Sequence, residues 1–398
     1  MQKSIDVVVL GLSPTGLYAV REAARAGYNV LGVGDPNAPG HWSRLLVDRI
    51  AASTPEARIE AILNRFPADA ETKPVLIVTS DQDLEAVIHR ADALGGRVHM
   101  QRSYQDGLAE RIMDKDRFYK LCAANSVAYP TLWAASIEQA VSYRDQIAYP
   151  CIIKPARIQD IKHLMGGQKG WILKSAADFD VVLPRIPREA GMLLMQEIVS
   201  GPESEIMLWC GYIDKAGEIR QRFTARKLRQ YPPGFGSASL VQSETCTEIA
   251  EIAERLLTSL GFHGIAAAEF KRHSETGQFK IIEVNPRPSL WFSVSSAADV
   301  PIVETAVAEA TGLALPPMVK QRDGIRWRYR IKDLASYLFY ARCRDFVLPA
   351  PDVNRSGAVD GWADVVGSRD DPMPVLGELW NFAYKGAARM IAQLGAKR

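Results

Sequence analysis

Residues 264–271 read Gly-Ile-Ala-Ala-Ala-Glu-Phe-Lys, and residues 279–288 read Phe-Lys-Ile-Ile-Glu-Val-Asn-Pro-Arg-Pro. Glu283 and Asn285 stand two apart on an apolar run, so a strand projects both side chains from one face. Glu269 lies on the preceding apolar run, 14 residues earlier. The polar segment between them, His273 to Gln278, reads as the turn of a hairpin that brings the three together. Three oxygen donors then converge. Hard donors of this kind suit Mg²⁺, which takes few protein ligands and fills its octahedron with water and nucleotide phosphates. The alternative is that two acids and an amide decorate a solvated sheet edge, where acidic residues are common.

Upstream, Tyr149 to Pro155 is a short apolar run that ends in Lys154, with Pro155 immediately after it. A lysine held at a strand end can act as a point charge for phosphate. His163 to Lys174 carries Gly166, Gly167 and Gly170, through which backbone amides can approach an anion. The segment fits a phosphate lid, and it fits an ordinary Gly-rich hairpin turn as well. From Leu193 to Glu205 the pattern is an apolar strand, a polar hinge at Gln196 and Glu197, and an acidic turn.

The order of these parts resembles the ATP-grasp superfamily: Met113-Asp114-Lys115-Asp116 opening a helix, strand-Lys-Pro, glycine loop, Gln-Glu hinge, then Glu269 and the Glu-Val-Asn-Pro-Arg element. The resemblance covers roughly residues 1 to 315. Within the superfamily the chain looks like the carboxylate-amine ligases, near the D-aspartate ligase and carbamoyl-phosphate-synthase-like carboligase branch. The resemblance implies an α/β protein, α+β in its ATP-grasp part. A Rossmann-like pre-ATP-grasp domain (1–108) would precede an ATP-grasp domain (109–315) whose small flap spans about 126–195, and an extension would follow (316–398). It implies that Lys115 and Lys154 contact ATP phosphates, that Gly166 and Gly167 form the lid, and that Gln196, Glu197 and the backbone to Val199 meet the adenine. Glu205 would bind the ribose. Glu269, Glu283 and Asn285 would hold two Mg²⁺ ions, or Mn²⁺, and Arg287 with Lys154 would serve the transferred phosphoryl group. Arg226 and Lys227 become candidates for an anionic substrate. The chain departs from relatives at Gln168-Lys169 in the glycine loop and at Ala267.

A free carboxylate is a poor electrophile, so ligation implies γ-phosphoryl transfer to it and attack by an amine on the acyl phosphate. Such transfer asks a protein mainly for alignment and charge neutralisation. A closing lid would keep water from the intermediate. The alternatives are an ATP-grasp kinase or carboxylase, or a catalytically silent nucleotide-binding protein.

At 398 residues the chain exceeds the size at which one core usually divides, and 47% hydrophobic residues can fill two or three cores. A net charge of +2 is too small to predict nucleic-acid or membrane binding. No apolar stretch approaches a membrane span and no signal peptide is read, so the cytoplasm is expected; the resemblance implies small-molecule acid and amine substrates, and a homo-oligomer is left open. Five scattered cysteines lack metal spacing and read as reduced thiols.

Asp6 to Gly11, Gly16 to Gly27 and Asn29 to Asp35 read as strand, helix, strand. Gly11-Leu12-Ser13-Pro14-Thr15-Gly16 lacks the third glycine of a dinucleotide fingerprint, which favours a structural turn. Phe223 to Gly236, rich in Arg and Lys before a Pro-Gly turn, reads as a loop over the active site or a plain surface loop. Ile325 to Ile331 alternates, predicting a strand with arginines on a wet face and Trp327, Tyr329 and Ile331 opposite. Leu376 to Leu394, with Trp380, Phe382, Tyr384 and Met390, reads as an amphipathic helix that packs on the body or on a second subunit.

Overall fold

A computed structural model describes residues 4–68, 70–156, 164 and 170–383. The first sheet comprises β1 (Val7–Leu10), β2 (Val30–Gly34), β3 (Asp48–Ala51) and β4 (Val75–Val78), in the order β3-β2-β1-β4 and all parallel. Its central strands are apolar throughout and fully buried because helices cover both faces. The turn after β1 is built for close packing. A Cβ on Gly16 would sit 1.9 Å from the Gly11 carbonyl oxygen, and Gly11 takes a φ of +86°. Both glycines are thereby accounted for by the turn itself.

The second sheet contains β5 (Leu132–Ser136), β6 (Cys151–Pro155), β7 (Trp171–Leu173) and β8 (Met192–Glu197), antiparallel in the order β5-β8-β6-β7. It begins at Leu132; residues around Val127 form an extended connection outside it. The Ala128 carbonyl instead accepts from Ile281 N at 2.8 Å.

The third sheet has seven strands: β9 (Ile206–Ile213), β10 (Ile219–Tyr231), β11 (Ser237–Ser243), β12 (Gly264–Arg272), β13 (Phe279–Asn285), β14 (Ile325–Arg328) and β15 (Gly361–Asp364). Their order is β13-β12-β9-β10-β11-β14-β15. The basic stretch from Phe223 is no loop: it is most of β10, a central strand that ends at Tyr231 before a short turn. Strand geometry is possible there because the cations meet acids. Arg226 Nη2 lies 2.6 Å from Glu244, Lys227 Nζ 2.6 Å from Glu269, and Arg229 Nε 2.7 Å from Asp333.

The tail beyond residue 316 joins this sheet. β14 stops at Arg328, and a helix runs over Arg330–Arg342, so the alternation predicted as far as Ile331 is cut short. The arginine face is wet only in part, with Arg330 exposed. Arg326 is buried, donating from Nε to Gln242 Oε1 at 2.8 Å, and the Arg328 guanidinium lies 5.0 Å from the centre of Trp362 on β15. Trp327 is fully buried on the other face. Residues 373–383 are helical, with Trp380 and Phe382 exposed; Tyr384 and Met390 lie outside the described residues. Among the described residues no helix is long and apolar enough to cross a membrane, and none of the five cysteines forms a disulfide.

Candidate active site

A cavity of about 820 Å³ opens where the three sheets meet. Its floor is the β12–β13 hairpin. The antiparallel register sets Glu269 opposite Glu283 and Ala267 opposite Asn285, so both acids and the amide leave one face. Asn285 Nδ2 donates to Glu283 Oε1 at 3.1 Å. The turn that follows is fixed from the amino-terminal part of the chain: Gln101 Nε2 and Tyr104 Oη each donate to the Pro286 carbonyl at 3.0 Å. Arg287 then reaches Asp81, with Nε 2.8 Å from Oδ1.

Lys115 enters at the first position of the helix Lys115–Ala124, whose cap is Asp114, accepting from Arg117 N at 2.9 Å. Tyr119, one turn on, donates to the Ile282 carbonyl at 3.0 Å and accepts from Gln196 Nε2 at 3.1 Å, so one phenol joins helix, hairpin and hinge. The Lys115 ammonium lies 5.5 Å from the centre of that ring. Lys154 lines the cavity from the end of β6. Glu197, at the end of β8, accepts from Lys280 Nζ at 2.6 and 2.8 Å and from Thr131 N at 2.9 Å, and Ile198 and Val199 continue the wall.

The electrostatics follow from burial and from the pairing of like charges. Burial pushes the Glu269 carboxyl above its ordinary value; Lys227 opposes this and the facing Glu283 adds to it. The surrounding protein also disfavours charge on Glu283, but Lys115 and Lys227 outweigh it and hold that carboxyl low. Burial draws Lys115 below the usual lysine value against the pull of Glu283 and Glu269. Two carboxylates facing each other across the hairpin suit a cation, and their donor set, with the Asn285 amide, is all oxygen. Among the described residues no cluster of three or more His, Cys, Asp or Glu side chains would hold a metal. Two acids and an amide match the sparse protein ligation of Mg²⁺, which leaves positions for phosphate and water. The residues fit the ion.

Most of the expected site residues therefore meet: Lys115, Lys154, Gln196, Glu197, Val199, Lys227, Glu269, Glu283, Asn285 and Arg287 all line the one cavity. Glu205 and Arg226 stand outside its lining. Glu205 lies 3.0 Å from Arg355, and Arg226 is held by Glu244 and by the Ser204 carbonyl at 2.7 Å. Gly166 and Gly167 lie outside the described residues. The sequence reading missed Asp81, Lys271 and Lys332. Lys271 was legible, since it follows Glu269 by two on the same strand face; Asp81 carried no local signal, because its partner is 206 residues away.

Glu197 and Glu244 add a pH dependence. Burial raises each carboxyl, but their cations, Lys280 and Arg226, leave both below the ordinary value. A depressed acid stabilises the fold above its unfolded value, about 4.3 for Glu, and that stability is lost as pH falls through the folded value. Their contribution, read as the urea midpoint of the wild type minus that of Glu197→Gln or Glu244→Gln, is expected to stay flat above about pH 5 and to drop below about 4.3. A difference that grows on acidification would contradict this.

The model of the carbamoyl-phosphate synthase L chain ATP-binding domain matches residues 235–318, the stretch that holds the hairpin. In overall structure the chain is similar to the ADP complex of N5-carboxyaminoimidazole ribonucleotide synthetase, with a TM-score of 0.62 at 15% identity, covering 81% of this chain and 80% of that one. The chain has the ATP-grasp fold. Biotin carboxylase from Campylobacter jejuni gives a TM-score of 0.61 at 17% identity over 80% of this chain and 74% of that one. Among curated proteins, the N-terminal section of the carbamoyl phosphate synthase large chain from Methanopyrus kandleri is 27% identical over 216 residues, 51% of this chain and 35% of that protein. The chain thus spans about a third of that relative's length.

Proposed function

We propose that this chain is an ATP-dependent carboxylate-amine ligase, forming an amide or peptide bond through an acyl phosphate and releasing ADP and phosphate. The observation that carries the reading is the register of Glu269 against Glu283, with Asn285 beside them and Lys115 and Lys154 lining the same cavity. The fold supports it. The matched family is named as an ATP-binding domain, and the similar structures are a synthetase with ADP and a carboxylase with an ATP ligand. The substrates are small acids and amines, and a cytoplasmic setting suits five thiols with no disulfide among the described residues.

In this reading the base of ATP lies against Gln196, Glu197 and Val199, and the triphosphate runs down the hairpin. Divalent ions held by Glu269, Glu283 and Asn285 would neutralise charge on the β- and γ-phosphates. Lys115 and Lys154 supply point charges to the phosphates as well. Arg287, presented by the turn after Asn285, faces the carboxylate that receives the phosphoryl group. Its pairing with Asp81 keeps the guanidinium oriented until an anion arrives. Lys227 acts through Glu269, as its counter-charge, and fixes that carboxylate's position.

The test is ADP release from Mg·ATP with panels of acids, including bicarbonate, and of amines. A ligase is expected to need an acid and an amine together. Release with the acid alone at the full rate would favour a kinase, and release with no combination would favour a silent nucleotide-binding protein.

A further inference from the structure

Lys271 leaves β12 two residues beyond Glu269, on the same face. It is 5% exposed and lines the cavity. The neighbouring cations Lys227, Lys280 and Arg226 each close on a carboxylate within 2.6 Å. Among the described residues no hydrogen bond or ion pair engages the Lys271 ammonium. Glu203, Glu205 and Glu269 lie near enough to feel its charge. Glu205 Oε2 is itself buried with no hydrogen-bond partner, Arg226 coming no closer than 3.9 Å. A buried charge held short of an acceptor is costly, so a ligand that supplies the acceptor accounts for its presence.

The register says which part of a ligand it meets. Lys271 stands opposite Lys280 on β13, and Lys280 holds Glu197 at the hinge; Glu269 stands opposite Glu283. Lys271 is thus level with the hinge end of the cavity, and two residues of strand, about 6.6 Å, separate it from the acids. With the base at the hinge and the β- and γ-phosphates at the acids, the sugar and the α-phosphate pass over Lys271.

We propose that Lys271 donates a hydrogen bond to an oxygen of the bound nucleotide between its base and its β-phosphate. This rests on the reading of the cavity as a Mg·ATP site. It makes Lys271 a nucleotide-binding residue that sets affinity.

The experiment is calorimetric titration of the wild type, Lys271→Met and Lys271→Gln with Mg·ATP, 2′-deoxyATP, 3′-deoxyATP and adenosine, with a melting curve for each protein. Wild type is expected to bind Mg·ATP, and Lys271→Met to weaken it about 10- to 100-fold, the range for hydrogen bonds to a charged donor. The two uncharged variants are read by the same comparison, so the test stands if one of them does not fold. A loss shared by both deoxynucleotides and, in a further titration, by AMP, but absent for adenosine, assigns the contact to the α-phosphate. A deoxynucleotide that binds the wild type weakly and is indifferent to the substitution assigns it to the missing hydroxyl. Folded variants that bind Mg·ATP as tightly as wild type would overturn the proposal and leave Lys271 a counter-charge to Glu203, Glu205 and Glu269. A wild type that binds no Mg·ATP would instead overturn the cavity reading beneath it.

Discussion

Glu283→Gln is expected to lower kcat by about three orders of magnitude, the upper range for loss of one electrostatic stabiliser in an enclosed site, with the fold retained. The substitution keeps the shape of the side chain and its place opposite Glu269. It removes the charge that Lys115 and Lys227 hold ionised. The glutamine can still accept from Asn285 Nδ2, so the hairpin does not lose its local hydrogen bond. Lys115 and Lys227 outweigh the unfavourable surroundings of this carboxylate, so removing its charge is expected to lower the melting temperature modestly while the protein still folds. Steady-state ADP release with a melting curve alongside checks both halves. Full activity in the variant would overturn the assignment of this acid to the reacting phosphates.

The second large effect is on stability. Asp371 is fully buried and accepts from Arg21 Nε at 3.0 Å, Ser43 Oγ at 2.8 Å and Arg44 N at 3.0 Å. Arg21 also donates to the Val366 carbonyl at 2.7 Å. One carboxylate thereby ties this part of the tail to the helix after β1 and to the loop after β2. Asp371→Ala leaves the buried Arg21 guanidinium with backbone carbonyls but no counter-ion, a loss of about 3–5 kcal/mol for breaking such a pair. Calorimetry should show the first thermal transition shifted down, with Asp371→Asn falling less because it keeps an acceptor for Arg21. An unshifted transition in the alanine variant would mean the tail is not anchored there.

The hairpin was readable from the sequence because its information is local: apolar alternation sets the strand faces, a polar turn sets the pairing, and the register brings Glu269 to Glu283 without help from elsewhere. The helix at Lys115 was readable for the same reason, since Asp114 supplies its cap. What escaped was set by distant partners. The basic run around Arg226 looks like a surface loop in isolation. It is a central strand because Glu244, Glu269 and Asp333 arrive from three other segments. Arg326 calls for solvent until Gln242 and Trp362 close around it. Glu205 is drawn to Arg355, a residue of the tail that no motif anticipates. Asp81 meets Arg287 only once the first sheet has docked on the third.

Crystals grown with Mn²⁺ and a non-hydrolysable ATP analogue, measured at the manganese edge, bear most directly on the site. Anomalous peaks within about 2.3 Å of oxygens of Glu269, Glu283 and Asn285, a distance usual for a hard divalent ion on oxygen, are the predicted result, with the triphosphate running past Lys115 and Lys154. Nucleotide bound in the cavity with manganese elsewhere, or with those three side chains turned away from it, would contradict the account.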